Sequence, residues 1–151
     1  MDDFSLPNVV NKYGVLPSTY NRIEPFKRPL SSTCPAIIIN SKTGNLALTL
    51  GGAGGTKITT AETQVILRHL FLKDSIKMSI DASRLHHQLL PNVICYDDYF
   101  PENMLEALRK LGHQTVKNQN RLSIIVAISK NEEGEYDVMY DYRKGGSSAG
   151  Y

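Results

Sequence analysis

Long apolar runs are missing from this chain: the longest, 36–39 and 124–128, fall far below the roughly 20 residues that a bilayer-spanning helix needs. Neither an anchor nor a secretory signal can be read in it, an absence of little weight if the chain is part of a longer polypeptide. Cysteine is scarce. Cys34 and Cys95 are the two present, and at that separation they form no metal-ligand pattern, which leaves a disulfide, two packed thiols or no role open. Charge of one sign is also absent. Seventeen Lys and Arg face fifteen Asp and Glu for a net +2, with the signs interspersed, so no basic block asks for nucleic acid. Seven prolines and eleven glycines fall short of a fibrous or disordered composition.

What is present is ordinary globular material. With 41% hydrophobic and 21% charged residues over 151 positions, the chain is one domain's worth, and a domain of that size hides roughly 68 to 70% of its unfolded surface. Residues 1–35 hold Pro7, Pro17, Pro25, Pro29 and Pro35 among many Asn and Ser, which predicts an extended arm wrapped over a surface. Residues 36–151 predict alternating strand pairs and helices. Segments 35–40 and 45–50 form a hairpin across a turn at 41–44. A helix starts near Thr59, with Thr59 and Glu62 matching a capping box, and Ala61, Val65, Ile66 and Leu70 give it an apolar face to about Leu72. A second helix spans roughly Ser75 to Ser83, and Val93–Tyr96 suits a short strand. A third helix has Pro101 in its first turn and Gly112 at its end. Residues 122–128 and 136–140 make a second hairpin across 131–134. No repeat of 20 to 50 residues occurs, and strand pairs interleaved with helices predict an α+β layered fold.

One stretch carries most of the chemical information. Gly51-Gly52-Ala53-Gly54-Gly55 lies between a strand and a helix start, where glycine's freedom at positive φ lets several backbone N–H groups converge and the helix end adds partial positive charge. An anion is the natural guest: a phosphate, a carboxylate or a developing oxyanion. It is not a Walker loop, because Thr56 precedes Lys57 and Ile58 follows it, nor a dinucleotide fingerprint, because Lys57 occupies the last glycine position. A tight strand-to-helix connection fits the spacing equally well. Ser31 and Ser32, on a proline-flanked loop, could donate to a carboxylate or be ordinary turn residues. Asp2 and Asp3 could hold an ammonium group or simply be solvated. His86 and His87, without a second ligand cluster, suit packing or orientation better than zinc. No metal site, no cofactor motif, no G-x-S-x-G elbow and no complete catalytic set are visible.

Six separated motifs resemble a known family: Met1–Phe4 (MDDF), Pro29–Ser32 (PLSS), Gly54–Thr60 (GGTKITT), Arg84–His86 (RLH) with Gln88–Asn92 (QLLPN), Arg143–Gly146 (RKGG) and Ala149–Tyr151 (AGY). In this order, over nearly the whole chain, they are similar to the small-subunit end of a gamma-glutamyltransferase (glutathione hydrolase). The resemblance implies an N-terminal-nucleophile hydrolase fold, a four-layer αββα sandwich of which this chain supplies part. It implies a self-cleaving proenzyme whose exposed threonine takes the gamma-glutamyl group from glutathione or a related donor and passes it to water, an amino acid or a dipeptide. By position, Asp3 resembles the carboxylate that binds the substrate α-amino group, Ser31 and Ser32 the hydroxyls that hold its α-carboxylate, and Gly54 and Gly55 the oxyanion hole, which is the geometry that amide attack requires.

Departures from the pattern set further expectations. The family's T-x-H-x-x-V-D threonine is not in this chain, nor are the asparagine and glutamate that follow it, and Met1 falls on an interior family position. The chain is therefore expected to be the C-terminal portion of the small subunit. Alone it should be inactive, needing the rest of that subunit and the large subunit as partners. A nucleophile-free binding or decoy module and an incomplete gene are the alternatives. The resemblance implies an extracellular protein, either membrane-associated or secreted. Ala82-Ser83, His87 and Ser147-Ser148 depart only in detail.

Overall fold

The computed structural model describes residues 3–11, 14–119, 122–131 and 133–150. Met1 and Asp2 of the first motif, Glu132 of the predicted second turn and Tyr151 lie outside the described residues.

The arm precedes a four-stranded sheet ordered β1-β2-β6-β7. Strand β1 (Ala36–Ile39) and β2 (Leu46–Ala53) form the predicted antiparallel hairpin, with Ala36 opposite Leu50. Strands β6 (Ile124–Lys130) and β7 (Tyr136–Met139) form the second, and β6 pairs antiparallel with β2 up to Ala53 opposite Ile124. Alternation along the strands decides the faces. Leu48, Leu50, Ile125 and Ala127 are buried beneath two helices, where they meet Ala61, Val65, Ile76 and Ile80. The other face carries the cross-strand row Ile37, Thr49, Ile128 and Val138. It is open, with Ile37 71% exposed and Val126 45% exposed. An apolar sheet face left bare is what half of a two-sheet sandwich presents before the second sheet covers it.

Helix α1 (Ile58–Ile66) continues as a π-helical stretch at Leu67–Phe71, so together they run close to the predicted length. Its start differs from expectation. A 3-10 turn at Gly55–Lys57 leads in, Lys57 is the N-cap, and no side-chain cap bond forms. Thr59 and Glu62 are therefore not a capping box. The lead-in turn already satisfies the backbone, through Lys57 N–H to Gly54 O at 3.3 Å and Ile58 N–H to Gly55 O. Glu62 instead turns inward and is 2% exposed.

Helix α2 (Ile76–Asp81) is capped by the Ser75 side chain, which accepts from Met78 N–H. Helix α3 (Glu102–Lys110) has Pro101 at its N-cap position, just outside the first turn, and Gly112 beyond its end at φ +91°. Two short strands escaped prediction. Strands β3 (Leu85–His86) and β5 (Thr115–Lys117) flank β4 (Ile94–Tyr96) in a separate three-stranded sheet, antiparallel on one side and parallel on the other. Two or three residues are too few for a period to register. Cys34 and Cys95 are both free thiols.

Candidate functional site: an anion turn and a stapled arm

The anion turn begins where β2 ends. Gly54 takes φ +149° and Gly55 φ +62°, conformations that a side chain would strain. A Cβ on Gly54 would also lie 2.9 Å from Ser123 Oγ and 3.1 Å from Ser123 Cα, so this glycine is demanded by space as well as by φ. Both glycines are exposed. Neither Gly54 N–H nor Gly55 N–H donates to a backbone acceptor in the turns and loops among the described residues. Two amide donors on one exposed bend can serve an outside acceptor.

Side chains hold the bend from two directions. Ser123 Oγ donates to Ala53 O at 2.9 Å from the β6 side. From the β3 side, Thr56 Oγ1 donates to Gln88 Oε1 at 2.8 Å. The same Gln88 oxygen lies 2.8 Å from His86 Nε2, and His86 Nδ1 lies 2.8 Å from Thr60 Oγ1. The Gln88 carboxamide oxygen can only accept, so the His86 Nε2 that faces it is the donor in this contact. His86 is 5% exposed and orients its neighbours. His87 stays on the outside, near Asn92 Oδ1 at 3.1 Å.

The arm reaches the same end of the sheet. Ser31 and Ser32 stand just ahead of Ala36, and Ala36 opposes Leu50 near the end of β2 that feeds the turn. Both serines are exposed. Ser31 Oγ donates to Thr33 Oγ1 at 2.9 Å and accepts from Thr33 N–H at 3.1 Å, a local turn that fixes its hydroxyl. Asp3 is exposed and is brought to this stretch by a residue not singled out in the sequence. Asn21 Nδ2 donates to Asp3 O at 2.7 Å, while Asn21 Oδ1 accepts from Leu30 N–H at 2.8 Å. One carboxamide thus ties the Asp3 segment to the segment entering Ser31. Ser5 N–H to Asn21 O at 2.9 Å strengthens the tie. A signal existed in principle, since asparagine side chains bond loop backbone readily, but one Asn in an Asn-rich arm does not stand out.

The arm also meets α1. Burial pushes the Glu62 carboxyl above its usual range, and a hydrogen bond with the Cys34 side chain opposes that shift.

Beneath the turn lies a buried ion network centred on Arg84 and Asp141. Asp141 Oδ2 accepts from Arg84 Nη2 at 2.8 Å and from Ile125 N–H at 3.0 Å, and Asp141 Oδ1 accepts from Arg143 Nη1 at 3.1 Å. Arg143 Nη2 donates to Asp97 Oδ2 at 2.9 Å. Two guanidinium groups and two carboxylates balance, as buried charges must. Burial would raise the Asp141 pKa, but Arg84 and the Ile125 and Arg143 backbone N–H groups outweigh it and hold the carboxyl below its ordinary value. Burial, then the nearby Arg143, lowers the Arg84 pKa. Arg84 Nη1 also donates to Ser123 O at 3.2 Å, so the network reaches the residue that packs on Gly54. Arg84 and Arg143 belong to the sequence motifs, but their meeting through Asp141 was not legible. No group of three His, Cys, Asp or Glu placed to hold a metal occurs among the described residues. No described helix is long and apolar enough to cross a membrane.

Comparison with known proteins agrees with this architecture. The sequence profile described as gamma-glutamyltranspeptidase matches residues 1–151. Scoloptoxin SSD20 of Scolopendra dehaani is 45% identical over 151 residues, covering all of this chain and 76% of its own length. Glutathione hydrolase proenzyme 2 of Schizosaccharomyces pombe (strain 972 / ATCC 24843) is 36% identical over 154 residues, and this chain spans 25% of its length. Among solved structures, the gamma-glutamyltranspeptidase of Pseudomonas nitroreducens complexed with L-DON superposes with a TM-score of 0.85 at 34% identity, covering 99% of this chain and 78% of that one. The mixed α+β fold, with one sheet face bare, is that of the N-terminal-nucleophile hydrolase-like proteins. The chain belongs to the gamma-glutamyltranspeptidase family.

Proposed function

We propose that this chain supplies the substrate-head pocket and oxyanion hole for gamma-glutamyl transfer and hydrolysis on glutathione and related compounds. Asp3 faces the donor's α-ammonium, Ser31 and Ser32 donate to its α-carboxylate, and the Gly54 and Gly55 N–H groups receive the oxygen of the gamma-carbonyl. Attack on that carbonyl makes its oxygen negative. Fixed amide donors aimed at that oxygen favour the transition state over the ground state. Charge-assisted bonds are worth about 1.5 to 3 kcal/mol each, so three groups on the amino-acid head select a zwitterion over a plain amide. The threonine nucleophile lies outside these 151 residues, which on their own hold the donor without turning it over. Its partners are the remainder of the small subunit, covering the bare sheet face, and a large subunit. The complete protein works outside the cell, membrane-associated or secreted.

The observation that carries this reading is the two-ended grip of Asn21 on Asp3 and Leu30. It ties the Asp3 segment to the segment entering Ser31, which supports reading them as parts of one site. The test is hydrolysis of a gamma-glutamyl anilide by the protein expressed from its complete reading frame. Wild type should release the free aniline, and Ser31→Ala/Ser32→Ala should raise KM at least about tenfold, one lost charged contact being worth that much. An unchanged KM overturns the assignment.

The alternative reading is a nucleophile-free binding module. Saturable glutamate binding by a complete protein that shows no turnover would select it.

A further inference from the structure

We infer that the hydroxyl of Ser123 is a positioning group for the Gly54 N–H donor, an inference that rests on the oxyanion role given to the turn above. The argument is one of peptide geometry. The Gly54 N–H and the Ala53 carbonyl belong to a single peptide plane. Among the described residues the one cis bond is Leu90–Pro91, so the Ala53–Gly54 bond is trans, and its C=O and N–H point in opposite directions. Whatever fixes the Ala53 oxygen therefore aims the Gly54 hydrogen. Ser123 Oγ donates to that oxygen at 2.9 Å.

Ser123 is well placed to do this without moving. It is 2% exposed, and its own carbonyl accepts from Arg84 Nη1 at 3.2 Å. Arg84 is anchored in turn by Asp141 and by Ile80 O at 2.6 Å. The hydroxyl is thus delivered from a buried, multiply hydrogen-bonded part of the molecule. The plane it acts on needs that help. Ala53 and Ile124 are the last pair of the β2–β6 ladder, and beyond them Gly54, at φ +149°, offers no side-chain barrier to rotation. The Gly54 oxygen, on the next plane, is held by Lys57 N–H, so the second donor, Gly55 N–H, is aimed independently of Ser123. Loss of the hydroxyl should therefore disorder one of the two donors and spare the other.

The experiment compares wild type, Ser123→Ala and Ser123→Cys in the protein from its complete reading frame, by crystallography and by steady-state kinetics on a gamma-glutamyl anilide. Ser123→Ala should show the Ala53–Gly54 plane rotated or in two orientations. Its kcat should fall about tenfold, short of the roughly 100- to 1,000-fold cost of deleting a donor outright, with KM within about threefold, because the lost interaction belongs to the transition state. Cysteine, a weaker donor, should fall between the two, and it carries the same test if the alanine variant does not fold. An unmoved peptide plane with unchanged kcat overturns the inference. So does a parallel fall in kcat and rise in KM accompanied by a lowered Tm, which marks a merely structural role. If wild type releases no aniline, the reading under Proposed function fails, and the orientation of the peptide plane still decides this one.

Discussion

Asn21 Nδ2 lies 2.7 Å from the carbonyl oxygen of Asp3, and this short bond fastens the start of the described chain to the arm that carries the two serines. The arm has little else. Leu16, Tyr20, Phe26 and Leu30 are all more than 70% exposed, so apolar burial does not fix its path. Asn21→Ala should therefore raise KM for a gamma-glutamyl donor about tenfold while changing Tm by no more than a few degrees. Neutral hydrogen bonds each contribute about 0.5 to 1.5 kcal/mol, and the variant loses those to Asp3 and Leu30 together with a longer one to Ser5 Oγ at 3.4 Å. Kinetics with paired melting curves check it, and a fall in kcat alone contradicts it.

Gly54→Ala tests the turn directly. The new Cβ meets Ser123 Oγ at 2.9 Å, Ser123 Cα at 3.1 Å and Leu122 O at 3.2 Å, and two of these are backbone atoms that cannot swing aside. The turn must shift, and turnover should fall by about 100-fold or more.

Asp141→Asn keeps the shape of the buried network and removes one of its two carboxylates. Arg84 and Arg143 would then share Asp97 alone. Breaking a buried pair costs about 3 to 5 kcal/mol, and for a domain of this size Tm should drop by about 6 to 20 °C. The pH dependence has a definite sign. Asp141 has a folded pKa below its ordinary 3.8, so its contribution is complete above that value and is lost as pH falls through the folded pKa. The difference in Tm between wild type and variant should shrink in strong acid.

Glu62 behaves in the opposite sense. Burial raises its pKa above 4.5, and Oε1 has no hydrogen-bond partner among the described residues. Folding favours the protonated form, so stability declines as pH rises from 4.5 through the raised value. Glu62→Gln should raise Tm at pH 7 and match wild type at pH 4. Equal melting at both pH values would show that the carboxylate is satisfied in some other way.

How much of this was legible depends on the length of the signal. Both hairpins and the α1 face could be read because Leu48, Leu50, Ile125 and Ala127 repeat with strand period, and Ala61 and Val65 with helix period, over enough residues to register. Strands β3 and β5 could not, being two and three residues long and stabilised by neighbours distant in sequence. The glycine turn was legible as an anion site or a tight connection, and the resemblance in the family motifs is the ground for proposing the first. The capping box failed because an S/T-x-x-E pattern does not reveal a 3-10 lead-in that already satisfies the backbone. Asn21, Ser123 and the Arg84–Asp141–Arg143 network stayed hidden for one shared reason. Apart from Asp141 and Arg143, which are neighbours in the chain, the linking partners lie 9 to 70 residues away, and single polar residues leave no periodicity to find.

The most direct measurement is a crystal structure of the protein from its complete reading frame with L-glutamate bound. The account predicts the α-carboxylate on the Ser31 and Ser32 hydroxyls, the ammonium at Asp3, and the side-chain carboxylate within hydrogen-bonding distance of the Gly54 and Gly55 N–H groups. Glutamate bound elsewhere, or the serines and the glycine turn engaging separate molecules, would contradict it.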